Sequence, residues 1–128
     1  MQPDERQPAP GRPRVVRIVP DLISDQPLLV ADFYAEVFGL EPAMDQGWVR
    51  SLVSPANRQA ELIVMAADSV QAPVPVISIG VDDVDLAHRR ACSCGATIVY
   101  DIRDEPWGVR RFFVADPDGR VVNVVGHR

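Results

Sequence analysis

The chain has 128 residues, of which 47% are hydrophobic and 24% charged, the size and composition of one globular domain and not of a disordered segment. Its 18 acidic and 13 basic residues leave a net charge of -5. That balance argues against nucleic acid, whose phosphates call for a basic patch, and fits a neutral or cationic small molecule better.

Residues 1–13 hold four prolines and almost nothing apolar. This is the composition of a disordered tail, and it lacks the apolar stretch of a signal peptide. Nowhere does an apolar run approach the roughly 20 residues of a membrane helix, so the expected location is the cytoplasm, with no membrane contact. RVVRIVPDLI, residues 14–23, reads as a strand bent or ended near Pro20. Asp25 is placed to cap a helix starting near Pro27, where the missing N–H costs nothing. Leu29, Phe33 and Val37 recur every four residues, with Val30, Tyr34 and Phe38 beside them. That broad apolar stripe is expected to face the core. Gly39 ends the helix. A weak strand at 42–44 and strands at 48–54 and 61–66 follow, separated by the turns DQG and PANR. ADSVQAPVP, residues 67–75, reads as a linker.

The order then begins again. Residues 76–81 are strand-like. Asp83 can cap a helix carrying Val84, Leu86, Ala87 and Ala91, and Asp82 and Asp85 add favourable charge at its start. Gly95 ends it. Strands are expected at 97–102, 109–115 and 120–125, joined by RDEPWG and by the turn at 116–119. Each half therefore reads strand, helix, strand, strand, strand, an internal duplication of a βαβββ unit. A unit this small cannot bury its own sheet, so the expected fold is α+β with the two modules paired.

All 13 basic residues are arginine, which excludes Schiff-base lysine chemistry and a phosphate-loop lysine. Cys92 and Cys94 form a single C-x-C. A structural zinc site takes four Cys or His ligands, so these read as unpaired thiols near a helix end.

DFYAEVFGLEP in the first half, VDDVDLAHRRACSCGA in the second and EPWGVRRFFVADPDGRVVNVV at the end together resemble the vicinal oxygen chelate superfamily. It contains the glyoxalases, the extradiol dioxygenases and the bleomycin-resistance-type binding proteins. The resemblance covers about residues 14–126, with modules at about 14–66 and 75–126. It implies an open, curved mixed sheet around a cleft, completed in the drug-binding relatives by a second, often strand-swapped, subunit. Metal-using relatives place His or Glu on the first and last strands of each half. Here the last such position is Asn123, and the first strands offer Ile18, Val19, Pro20 or Val76. Glu61 is the one carboxylate that could survive as a ligand. His88 and His127 lie elsewhere. A catalytic divalent ion needs about three side-chain ligands, so no metal and no cofactor are expected.

Asn123 lies in an otherwise valine strand. In a simple hairpin Phe112 stands opposite it, and both point into the cleft while Val122 and Val124 face a helix. An isolated buried amide is costly, so Asn123 meets either a ligand or a neighbour such as Arg110. Trp107, in the loop with Asp104 and Glu105, could stack on a flat cationic ligand, or anchor the loop. Trp48 reads equally as pocket wall or core. Arg50, Arg110 and Arg111 are strand charges, with Arg110 or Arg50 able to face the cleft. The candidate ligand-binding set is thus Trp107, Phe112, Asn123, Trp48, Arg110 and Glu105. The favoured reading is a metal-independent, antibiotic-type binding or sequestration protein acting as a homodimer. A metal-dependent enzyme with ligands in another register and a non-binding scaffold are the alternatives.

Overall fold

The computed structural model describes residues 11–66 and 73–127. Most of the expected tail, 1–10, and most of the expected linker, 67–72, lie outside the described residues. The fold is α+β, with the elements β1 (Val15–Ile23), α1 (Pro27–Phe38), β2 (Glu41–Asp45), β3 (Val49–Val53), β4 (Glu61–Met65), β5 (Ile77–Val81), α2 (Val84–Ser93), β6 (Thr97–Asp104), β7 (Val109–Ala115) and β8 (Val121–His127). Strand, helix and three strands occur twice in succession, as the repeat in the sequence implies.

The chain groups into two compact units. One is Val19–Ser78; the other joins the residues before Val19 to those after Ser78. The units do not follow the sequence halves, because β1 and β5 are each divided between them. In the first unit the strands run in the order β2-β3-β4-β1, in the second β5-β8-β7-β6. Pairing is mixed: β1 and β4 are parallel, whereas β2–β3, β3–β4, β6–β7 and β7–β8 are antiparallel.

In the first unit, one sheet face packs Leu52, Val64 and Leu22 against Ala31, Val30 and Tyr34 of α1. The other face gathers Val19, Val49 and Ile63, with Trp48 and Met65 beside them. Trp48 is therefore a half-buried member of this cluster. Two sequence expectations fail locally. β1 continues through Pro20 to Ile23; proline's fixed φ is compatible with an extended strand, and Pro20 is exposed. The N-cap of α1 is Gln26 and not Asp25, and its side chain makes no capping hydrogen bond. Ser24 Oγ instead accepts from Gln26 N at 2.9 Å. Pro27 does open the helix, and Gly39 closes it at φ +72°, a left-handed conformation that suits glycine.

A larger correction concerns Phe33 and Phe38. They are 54% and 63% exposed, and Ala31 is the buried residue of α1. Four-residue spacing finds a stripe but not the direction in which it points.

In the second unit, Val81, Val84, Phe112 and Val124 form the core, with Ala87 and Ala91 of α2 and Ile98, Ile102, Val114 and Val122 packed around them. Asp83 caps α2 as expected, accepting from Leu86 N at 3.0 Å. β8 passes close beneath the start of this helix. A Cβ on Gly126 would lie 3.2 Å from the Val81 carbonyl oxygen and 3.3 Å from Val84 Cβ, so a side chain there would have to push its neighbours back by a few tenths of an ångström.

Candidate functional site

The β7–β8 hairpin decides which side chains can meet. Asp116 Oδ1 accepts from the backbone N–H groups of Asp118 and Arg120, each at 2.9 Å. These bonds hold the Asp116 carboxyl below the usual carboxylate range, the Arg120 backbone N–H contributing most. Arg120 thereby belongs to the loop, and the strands resume at Ala115 paired with Val121. The connection has five residues, 116–120, where a four-residue turn was expected. The extra residue shifts the register by one, and a shift of one exchanges the faces. Asn123 consequently stands opposite Phe113, and Phe112 opposite Val124. Phe112 is not a cleft residue beside Asn123. It is 1% exposed and packs in the core, with the His88 ring edge-on at 5.0 Å.

The same parity separates the two arginines. Arg110 pairs with Gly126 on the Phe112 side, where it binds Asp85 of α2 and Asp104 at 3.1 and 3.2 Å. These carboxylates raise its pKa, Asp104 most. Arg110, a candidate ligand residue in the sequence, is thus tied by ion pairs to the helix start and to Asp104. Arg111 points the other way, with Phe113 and Asn123.

Around Arg111 the unit builds a compact polar and aromatic cluster. Arg111 Nε donates to Glu105 Oε2 at 2.6 Å, and the two side chains are 8% and 6% exposed. Tyr100 OH donates to the same carboxylate oxygen at 2.8 Å. The guanidinium carbon lies 4.9 Å from the Phe113 ring centroid, 5.0 Å from that of Trp107 and 5.3 Å from that of Tyr100. All three are within cation–π range. Tyr100 and Phe113 also pack on each other at 4.7 Å. Burial, followed by the Glu105 contact, pushes the Tyr100 phenol up from its ordinary value. Trp107 remains 42% exposed at the margin, so it both covers Arg111 and presents a ring surface outward.

Tyr100 was missing from the sequence reading. It shares parity with Ile98 and Ile102, so plain alternation sends it to the helix side. Register shifts in β6 on either side of Tyr100, between Ile98 and Tyr100 and between Tyr100 and Arg103, turn it to the face of Phe113. Bulges re-aim side chains in this way, and isolated strand patterns do not reveal them.

This cluster has limited chemistry of its own. Glu105 already accepts from a guanidinium and a phenol, which makes it a poor general base. The phenol proton is committed to Glu105, and burial together with that contact moves the phenol still further from releasing it. What the face offers is aromatic surface, with the Asn123 amide beside it, its oxygen buried.

The first unit carries its own buried polar groups. Ser78 Oγ donates to both carboxylate oxygens of Asp21, at 2.8 and 3.1 Å, and both residues are buried. Ser51 donates a short hydrogen bond to Glu61. Asp21 escaped the sequence reading because Pro20 masked the continuation of β1, and Ser78 lies on the strand read at 76–81 but was not singled out. Arg50 is paired with Asp45 at 2.9 Å. Among the described residues, no three His, Cys, Asp or Glu side chains come together to hold a metal ion. Glu61 in one unit is engaged by a serine, and Asn123 in the other supplies only a neutral amide. Glu61 and Asn123 alone do not supply the three or so side-chain ligands that a catalytic divalent ion needs. Cys92 and Cys94 are exposed free thiols, with Cys92 Sγ 3.9 Å from His88 Nε2. No helix among the described residues is long and apolar enough to cross a membrane.

Residues 17–125 match the family model of the glyoxalase-like domain. The chain belongs to that family. Proteins of Mycobacterium bovis and Mycobacterium tuberculosis, both named as uncharacterised, are 33% identical to this glyoxalase-like chain over 115 residues. The match covers 78% of this chain and 76% and 68% of theirs. A glyoxalase/bleomycin resistance protein/dioxygenase superfamily member from Vibrio splendidus shares the fold at a TM-score of 0.64 and 16% identity, over 88% of this chain and 99% of that one. A Mn(II)-bound glyoxalase from Novosphingobium aromaticivorans superposes with a TM-score of 0.65 at 20% identity, over 90% of this chain and 40% of that one. At such identities the likeness concerns the fold, in agreement with the vicinal oxygen chelate resemblance of the sequence.

Proposed function

We propose that this glyoxalase-like chain is a metal-independent binding protein for a planar small molecule, held against Trp107 with the Asn123 amide orienting it. Sequestration of a planar antibiotic is the form of this reading that the family resemblance suggests. One observation carries it. The Glu105 carboxylate is engaged by Arg111 and Tyr100, so the cluster is a rigid aromatic platform and not an acid–base pair. Small-molecule sites are commonly apolar surfaces with a few placed polar groups. The buried ion pair and its surrounding rings preorganise such a surface, which lowers the cost of ordering on binding. Arg111 and Glu105 neutralise each other, so flatness of the ligand matters more than its charge.

The test is a panel of planar aromatic antibiotics, screened by thermal shift and tryptophan fluorescence with and without a chelator. At least one compound is expected to raise the melting temperature. Trp107→Ala then weakens its binding about tenfold, the equivalent of 1.4 kcal/mol, while the fold persists. Stabilisation that vanishes with chelator would point to metal-dependent chemistry. An unchanged affinity in Trp107→Ala would remove the platform from the site.

A further inference from the structure

Helices α1 and α2 occupy equivalent places in the repeat, yet only α2 has an ordinary outer surface. α2 carries Asp85, His88, Arg89 and Arg90 within its ten residues, whereas the twelve residues of α1 include two charges, Asp32 and Glu36. The outward side of α1 is apolar. Leu29 is 62% exposed, Phe33 54%, Val37 55% and Phe38 63%. These are not scattered residues. Leu29, Phe33 and Val37 lie one turn apart along a single line, spanning about 12 Å at 1.5 Å rise per residue. Phe33 packs edge-on against both Tyr34 and Phe38, at 5.2 and 6.3 Å. A helix that is apolar nearly all round is normally buried on both sides.

A continuous stripe of this size commonly marks an interaction surface, and the chain outside the described residues has little apolar surface to lay on it. Residues 1–10 and 67–72 contribute only Met1 and Val70 as large apolar side chains. The stripe itself is a better complement. Its four side chains expose on the order of 450 Å² of mostly apolar surface. Two copies face to face would bury about 900 Å² before any rim is counted, close to the lower end of specific interfaces at about 1,200 Å².

We propose that α1 is the dimerisation helix. Two copies of the chain pair through Leu29, Phe33, Val37 and Phe38 in an isologous contact, the helices running antiparallel with Phe33 near the two-fold axis. Asp32 and Glu36 lie along one margin, where they stay in water. This surface differs from the cleft-completing, often strand-swapped pairing that the family resemblance implies, and it is independent of the ligand reading above.

Sedimentation equilibrium of the full chain is expected to show a species of about twice 14.1 kDa at micromolar concentration. Leu29→Glu combined with Phe33→Glu should give a monomer with an unchanged far-UV spectrum, because both side chains are exposed in the monomer. Should that pair perturb folding, Phe33→Ser alone is expected to weaken the dimer at least tenfold. In a Cys92→Ser, Cys94→Ser background, Phe33→Cys should form a covalent dimer on mild oxidation. A wild type that stays monomeric at about 100 μM would overturn the proposal. So would a dimer that survives the substitutions, or a Phe33→Cys chain that fails to cross-link.

Discussion

The two units solve the same problem in opposite ways. Each has polar side chains on the sheet face away from its helix. The unit Val19–Ser78 uses small partners there: Ser78 on Asp21 and Ser51 on Glu61, set among Val19, Val49 and Ile63. The other unit uses one large ion pair, Arg111 with Glu105, wrapped by Tyr100, Trp107 and Phe113. A hydroxyl satisfies a carboxylate in little space and leaves the surroundings apolar. A guanidinium needs both a counter-charge and ring surface, and in meeting those needs it assembles an aromatic platform. Repetition of βαβββ therefore decides where such positions fall but not what chemistry fills them. The helices repeat the lesson: α2 turns charge outward, and α1 turns leucine and phenylalanine outward.

The contrast can be broken most strongly at Glu105. Glu105→Gln removes the carboxylate charge facing Arg111 in a site where both partners are almost fully buried. Loss of one member of such a pair costs about 3–5 kcal/mol, and urea denaturation should register most of it. A change under about 1 kcal/mol would mean that the ion pair is not a buried unit. Ser78→Ala is the matching test in the first unit. It removes a hydroxyl that serves both oxygens of Asp21, and about 1–3 kcal/mol is expected for a buried acceptor losing one donor. If this loss equalled that of Glu105→Gln, the proposed difference between small and large polar pairs would not hold. The helix caps sharpen the comparison further. Asp83→Ala should destabilise by about 1 kcal/mol, the usual worth of an N-cap carboxylate. Asp25→Ala should change stability by only a few tenths, because α1 has no side-chain cap. Equal effects in thermal unfolding would contradict the capping geometry.

Much of the fold was legible in the sequence because its signals are local. Val109–Ala115 was read with its observed limits, and Pro27, Gly39, Asp83 and Gly95 marked helix ends through their own backbone preferences. The candidate site was legible only in part. Trp107, Glu105 and Asn123 were named from their place in the chain and from the family resemblance; the first two lie in the β6–β7 loop and the third on β8. Phe112 and Arg110 were each one residue away from Phe113 and Arg111, whose side chains turn to the Asn123 side. The error came from a single loop residue, Arg120, whose backbone N–H binds Asp116 and so prolongs the turn.

The sequence by itself determined the family, the order of elements and the repeat, since motif spacing, turn residues and hydrophobic period all act over a few neighbours. Only the tertiary structure decided the faces. Strand side chains alternate with a period of two, so one added loop residue at Arg120 and the register shifts flanking Tyr100 exchange core for surface without altering any local pattern. The outward turn of Leu29, Phe33 and Val37 was decided the same way, by which side of α1 met Leu52 and Val64.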